Sequence, residues 1–176
     1  MIRIALIYGS IAGAVAIVSL TLGLVLSNGE GAAASMWFGY LVMLVALSMI
    51  FIGVKRYRDR DLGGVIKFGP AFMVGLAIAG VAGVMYVAGW EAYLSLTDYA
   101  FIEDYTAGII EAKHEAGVTG AALENLIAEM DQMVTNYANP LFRLPLTFVE
   151  IFPVGLAVAL VSAALLRNPK LLPARG

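Results

Sequence analysis

Residues 68–90 read FGPAFMVGLAIAGVAGVMYVAGW, without one charged side chain. About 20 apolar residues in a helix cross the hydrocarbon of a bilayer, and this stretch meets that length. Small residues recur at every fourth position, Ala71, Gly75, Ala79 and Gly83, which puts them on one helical face. The stretch is read as a membrane-spanning helix over about 68–91, with Pro70 tolerated in its first turn.

Working outward, residues 4–29 and 31–54 are also uncharged, and 144–166 is interrupted only by Glu150. The first run is far longer than the apolar core of a cleaved signal peptide, about 7–15 residues. The sequence therefore predicts an all-α polytopic membrane protein with four transmembrane helices, about 4–26, 33–54, 68–91 and 144–166. Composition agrees. The chain is 61% hydrophobic and 14% charged, whereas a soluble domain is about half apolar and about a quarter charged. The net charge of −2 argues against a nucleic-acid partner.

Four crossings sort the basic residues. One side receives Arg3, the segment 55–67 with Lys55, Arg56, Arg58, Arg60 and Lys67, and the tail with Arg167, Lys170 and Arg175. The other receives only Lys113 and Arg143. The positive-inside rule then places both termini and the basic loop KRYRDRD in the cytoplasm. Trp37, Tyr40, Tyr86, Trp90 and Tyr93 fall near the outer ends of their helices, where amphipathic rings favour the interface.

Between the third and fourth spans lies the one long polar segment, 92–143, rich in Asp and Glu. Leu123, Leu126, Ile127, Met130, Val134 and Tyr137 recur at three and four, the helical period. Gly117 and Gly120 break the pattern, Thr119 is the expected N-cap of the second half, and Asn139-Pro140 ends it. An extracytoplasmic helical hairpin over about 98–138 is expected, its halves 98–116 and 119–138. Its apolar face must be covered, by itself or by a partner.

Lipid supplies little hydrophobic drive between helices, so close packing of small residues replaces it. Ala5, Gly9 and Gly13 form a second ridge, and Gly155, Ala159 and Ala163 a third. Such ridges serve packing inside one chain or between chains. The expected partners are the lipid bilayer and a second copy or another membrane protein, joined through these ridges or through the outward hairpin.

The candidate functional residues lie in two places. Glu150 is an acid inside a spanning segment, and intramembrane acids are functional by default. If the helix starts at Leu144, six residues put Glu150 about 9 Å below the outer surface. An ionised carboxylate near the centre costs about 2.5–3.5 kcal/mol, against a return of about 0.3–0.6 from each Leu, Ile, Phe or Val, so insertion survives it. Pro153 cannot donate to the Val149 carbonyl, and Thr147 offers a hydroxyl one turn from the acid. These three could form a proton or solute pocket, or fix packing through a hydrogen bond. The second place is Tyr57, Arg58 and Asp59 in the basic loop, an orientation anchor or a site for anionic lipid or a cytoplasmic partner.

Chemistry of other kinds finds little support. There is no cysteine and one histidine, so thiolate sites and multi-histidine metal or haem sites are not expected within a single chain. Glu111, His114 and Glu115 form an E-x-x-H fragment, but the di-iron motif needs a second copy, and a solvated face is the simpler reading. No catalytic residues, cofactor or metal are expected, and the chain is not read as an enzyme.

The stretches GYLVM (39–43), IGVKRYRD (52–59), GVIKFGPAFMVG (64–75), NPLF (139–142) and TFVEIFPVG (147–155) resemble those of domain-of-unknown-function family 4199 (DUF4199). These are small bacterial integral membrane proteins. The resemblance covers essentially the whole chain. It implies a four-helix bacterial inner-membrane protein and brings no established activity or residue roles. Two functions fit: a non-enzymatic accessory or scaffold subunit, or a small proton- or cation-coupled transporter or channel using Glu150.

Overall fold

The computed structural model describes residues 1–27 and 36–173, apart from the side chains of 26, 27 and 36–38. The predicted start of the second span (33–35), the side chain of Trp37 and Arg175 lie outside the described residues. Among the described residues there are seven helices: α1 Ile2–Ser27, α2 Met36–Leu47, α3 Met49–Asp61, α4 Phe68–Leu96, α5 Phe101–Glu115, α6 Ala121–Tyr137 and α7 Pro140–Leu166. No strand occurs among the described residues. Among the described residues, four segments are long and apolar enough to cross a membrane: Ile2–Val25, Gly39–Asp61, Phe68–Leu96 and Pro140–Leu166. Their boundaries depart from the sequence expectation at the ends of α3 and α4, which reach Asp61 and Leu96, and at the start of α7.

α2 and α3 form one apolar segment interrupted at Ser48. Its hydroxyl donates to the Val45 carbonyl at 2.6 Å, and back-bonding of this kind competes with the regular ladder and bends helices. α3 continues through the basic segment to Asp61, so KRYRDRD is helix rather than loop. Lys55 and Asp59 pair at i,i+4, and Arg58 and Arg60 lie in the last turn, where cations complement the helix dipole. The chain then reverses through Gly63 and Gly64, both at positive φ, with the Gly64 amide donating to the Arg58 carbonyl at 2.9 Å.

α7 begins at Pro140, four residues before the expected Leu144. The side chain of Asn139 accepts from the Leu141 amide at 3.0 Å, and proline in the first turn needs no donor. Asn139-Pro140 therefore starts α7 as well as following the end of α6. Thr119 does not cap α6. That place is taken by Gly120 at φ 61° with no side-chain cap.

The chain forms two compact units, Met1–Trp90 with Phe148–Gly176, and Glu91–Thr147. In the first unit, α1, α3 and α7 close on α4, and α2 packs on α1. A Cβ placed on Gly13 of α1 would stand 2.5 Å from the Ala82 carbonyl oxygen, and one on Gly53 of α3 would stand 2.6 Å from Ile78. From α7, Ala159 fills the space beside Gly75, and Ala79 lies 3.0 Å from where a Cβ on Gly155 would sit. The ridges of α4 and α7 thus meet inside one chain, while that of α1 packs on another face of α4, against Ile78, Val81 and Ala82. Ala71, Val74, Ile78 and Ala82 are fully buried. The outward faces carry Leu6, Ile11, Leu22, Leu44, Val84 and Val161, all exposed. Apolar side chains on every outer face are what a lipid-facing surface requires.

These approaches predict a graded response. Gly13→Ala has to push α1 away from backbone atoms of α4, and overpacking typically costs about 1–3 kcal/mol. Gly80→Ala, with nothing within 4 Å, is expected to be neutral or slightly stabilising, because alanine favours helix. Thermal or denaturant unfolding in detergent distinguishes the two.

In the second unit, α5 and α6 pack on each other, with Ile102, Thr106, Met130 and Tyr137 buried. The chain turns from α4 into α5 through Asp98 and Tyr99, at φ 50° and 60°. That left-handed region is uncommon for non-glycine residues, particularly a bulky one, so something must hold Tyr99 there.

Candidate functional site

Within α7 of the first unit, Ile151, Gly155, Ala159 and Ala163 are buried, while Val149, Glu150, Pro153 and Leu160 are exposed. Glu150 therefore points away from α4. Its carboxyl makes no hydrogen bond or ion pair with the described residues. The helix runs through Pro153 without a break, and Pro153 shares the outer face. In the second unit, Thr147 is buried and its hydroxyl donates to the Arg143 carbonyl at 3.1 Å. Of the expected pocket, Glu150 and Pro153 share a face, but they are not enclosed, and Thr147 bonds its own helix. With α7 starting at Pro140, Glu150 lies about 15 Å along the helix, further from its start than the 9 Å expected.

Tyr57, Arg58 and Asp59 form a different kind of site. Arg58 has no exposed surface. Its Nε donates to Asp59 Oδ1 at 2.7 Å. Nη1 donates to the Leu171 carbonyl at 3.0 Å and reaches the Leu166 carbonyl at 3.5 Å, and Nη2 donates to the Leu172 carbonyl. The last carbonyls of a helix lack intrahelical partners and carry the negative end of its dipole. Arg58 thus caps α7 and binds the segment that follows it. Asp59 balances the charge, pairing with Lys55 as well. Tyr57 is half-buried beside it. Along α7, sixteen residues separate Glu150 from Leu166, about 24 Å, so the two predicted sites are separate.

A second buried arginine completes the second unit. Arg143 Nε and Nη2 donate to the two oxygens of Glu91 at 2.6 and 2.8 Å, the paired fork that makes arginine–carboxylate contacts strong. Nη1 donates to the Tyr137 carbonyl at 2.7 Å, at the end of α6. The guanidinium lies 5.0 Å from the Tyr99 ring centroid and 5.6 Å from that of Tyr137, within cation–π range. One side chain therefore pins the end of α4, the left-handed Tyr99, the end of α6 and the start of α7.

The profile of the family described as protein of unknown function, DUF4199, matches residues 7–168. The chain belongs to that family. No curated protein and no solved structure matches it. Membership in DUF4199 carries no activity, so residue roles rest on geometry.

Sequence reasoning passed over Glu91 and did not pair Arg143 with it. The available signal was a lone acid at the end of one apolar segment facing a lone base at the start of the next. The outward direction of Glu150 was also readable. At 100° per residue it lies about 140° around the helix from Gly155, on the side away from the small-residue ridge. In this DUF4199 chain no group of residues suited to holding a metal occurs among the described residues.

Proposed function

We propose that this membrane protein is a non-enzymatic scaffold or accessory subunit that presents the Glu150 face of α7 to another membrane protein. The observation that carries the reading is the direction of Glu150. A carboxyl on the outer face of an apolar span is costly in lipid and is relieved when a neighbour supplies a hydrogen-bond donor or a cation. The small-residue ridges are closed against α4, which leaves the α7 outer face free for a partner. The proposed setting is a bacterial inner membrane with both termini cytoplasmic and the α5–α6 pair outside. The basic residues at the α3 and α7 ends support that orientation.

Transport through this chain is the weaker reading, because its acid does not point between the helices. Purification of tagged full-length protein from its native membrane tests the proposal. Wild type is expected to retain a membrane partner that Glu150→Leu loses, with no proton or cation flux in liposomes. Flux that Glu150→Gln abolishes would overturn the scaffold reading. A chain that purifies alone, unchanged by Glu150→Leu, would contradict it too.

A further inference from the structure

The hydrogen bonds of Arg58 bring two basic segments to the same end of the first unit. On α3, Arg56 and Arg60 flank Arg58 in sequence and are exposed. Beyond α7, Arg167 and Lys170 are exposed as well, each adjacent in sequence to a residue whose carbonyl accepts from Arg58. The segment after α7 is folded rather than loose: the Asn168 side chain accepts from the Lys170 amide at 3.0 Å, and the Leu171 amide donates to the Asn168 carbonyl at 3.1 Å.

Negative charge is scarce at this end. Asp59 is engaged by Lys55 and Arg58, leaving Asp61 as the exposed acid of α3. Apolar side chains stand among the cations. Leu172, held at φ 50° while its carbonyl accepts from Arg58, is 51% exposed, and Val65, past the glycine turn after α3, is 60% exposed. A non-glycine residue in that region is strained and persists where its surroundings hold it. Exposed cations interleaved with exposed aliphatics, at the end of apolar helices, match a headgroup with acyl chains beneath it.

We propose that this Arg58-clasped end binds the headgroups of anionic phospholipids, with Arg56, Arg60, Arg167 and Lys170 contacting phosphate. Arg58 itself positions the two segments and does not contact lipid. The site goes beyond the scaffold reading and needs no protein partner, so either can fail alone.

The test uses full-length protein in a neutral detergent, titrated with phosphatidylglycerol, phosphatidylcholine or inorganic phosphate, and read by native mass spectrometry and melting temperature. Phosphatidylglycerol is expected to bind at least tenfold more tightly than phosphatidylcholine, and less tightly as salt rises. Each cation near the surface contributes about fivefold, so R56Q/R60Q/R167Q/K170Q should weaken it by several hundredfold. R56K/R60K/R167K, which keeps the charge, should retain most of the binding and serves as the folding control. Equal affinity for the two lipids, or a quadruple glutamine variant that binds like wild type, overturns the proposal. Stabilisation by inorganic phosphate equal to that by phosphatidylglycerol overturns it too, by making the site one for soluble phosphate.

Discussion

Arg58→Ala is expected to destabilise the protein by about 3–5 kcal/mol, the cost of breaking a buried charge pair from one side. The loss has two parts. The carbonyls of Leu166, Leu171 and Leu172 lose their donors, and a buried acceptor left unsatisfied costs about 1–3 kcal/mol. Asp59 also loses one of its two cations. Arg58→Lys should recover less than half, since an ammonium cannot place donors toward Asp59 and the carbonyls in the planar fork of arginine. Unfolding in detergent measures the total. A local readout isolates the cap: trypsin should cut at the Lys170–Leu171 bond much faster in Arg58→Ala than in Gly13→Ala, which loosens α1 and leaves the cap alone. Equal cutting in the two variants would contradict the capping role.

The second large effect is an asymmetry at Glu91 and Arg143. The side chain of Arg143 is 4% exposed and that of Glu91 is 26% exposed. What matters is the group left behind. Glu91→Ala strands a guanidinium out of reach of water and should cost about 3–5 kcal/mol. Arg143→Met leaves a carboxylate that water can reach, and should cost about 1–3 kcal/mol, chiefly from the lost hydrogen bond to the Tyr137 carbonyl and the lost cation–π contacts. The double variant is then expected to be more stable than Glu91→Ala alone. Unfolding of the four proteins in a double-mutant cycle tests this, and equal costs for the two single substitutions would show that burial does not govern the pair.

Both effects show where reading the sequence stopped. The spans were legible because lipid imposes a length of apolar helix that a sequence states directly. The helical ridges were legible because Gly75, Ala79 and Gly155 recur at helical spacing, and those contacts formed within the chain. Arg58 was hidden for a physical reason. In a run of charges it resembles its solvated neighbours Arg56 and Arg60, and most of its partners are backbone carbonyls more than a hundred residues away, which no residue type announces. The bond between Arg143 and Glu91 spans 52 residues and depends on where α4 ends, five residues later than expected. For Glu150 the depth estimate rested on the start of α7, which Asn139 and Pro140 moved. Its direction was encoded in the ridge, but an apolar helix with lipid on one side and helices on the other gives little phase information by hydrophobicity alone.

If the chain crosses the bilayer four times, as its four apolar segments lead one to expect, residue 119 and residue 61 should face opposite sides of it. The chain contains no cysteine, so single cysteines report cleanly. Thr119→Cys and Asp61→Cys, both at exposed positions, can be labelled with a membrane-impermeant maleimide in intact spheroplasts and again after lysis. Label at 119 before lysis, with label at 61 only afterwards, is the predicted result. Label at both positions before lysis, or at 119 only afterwards, would contradict it.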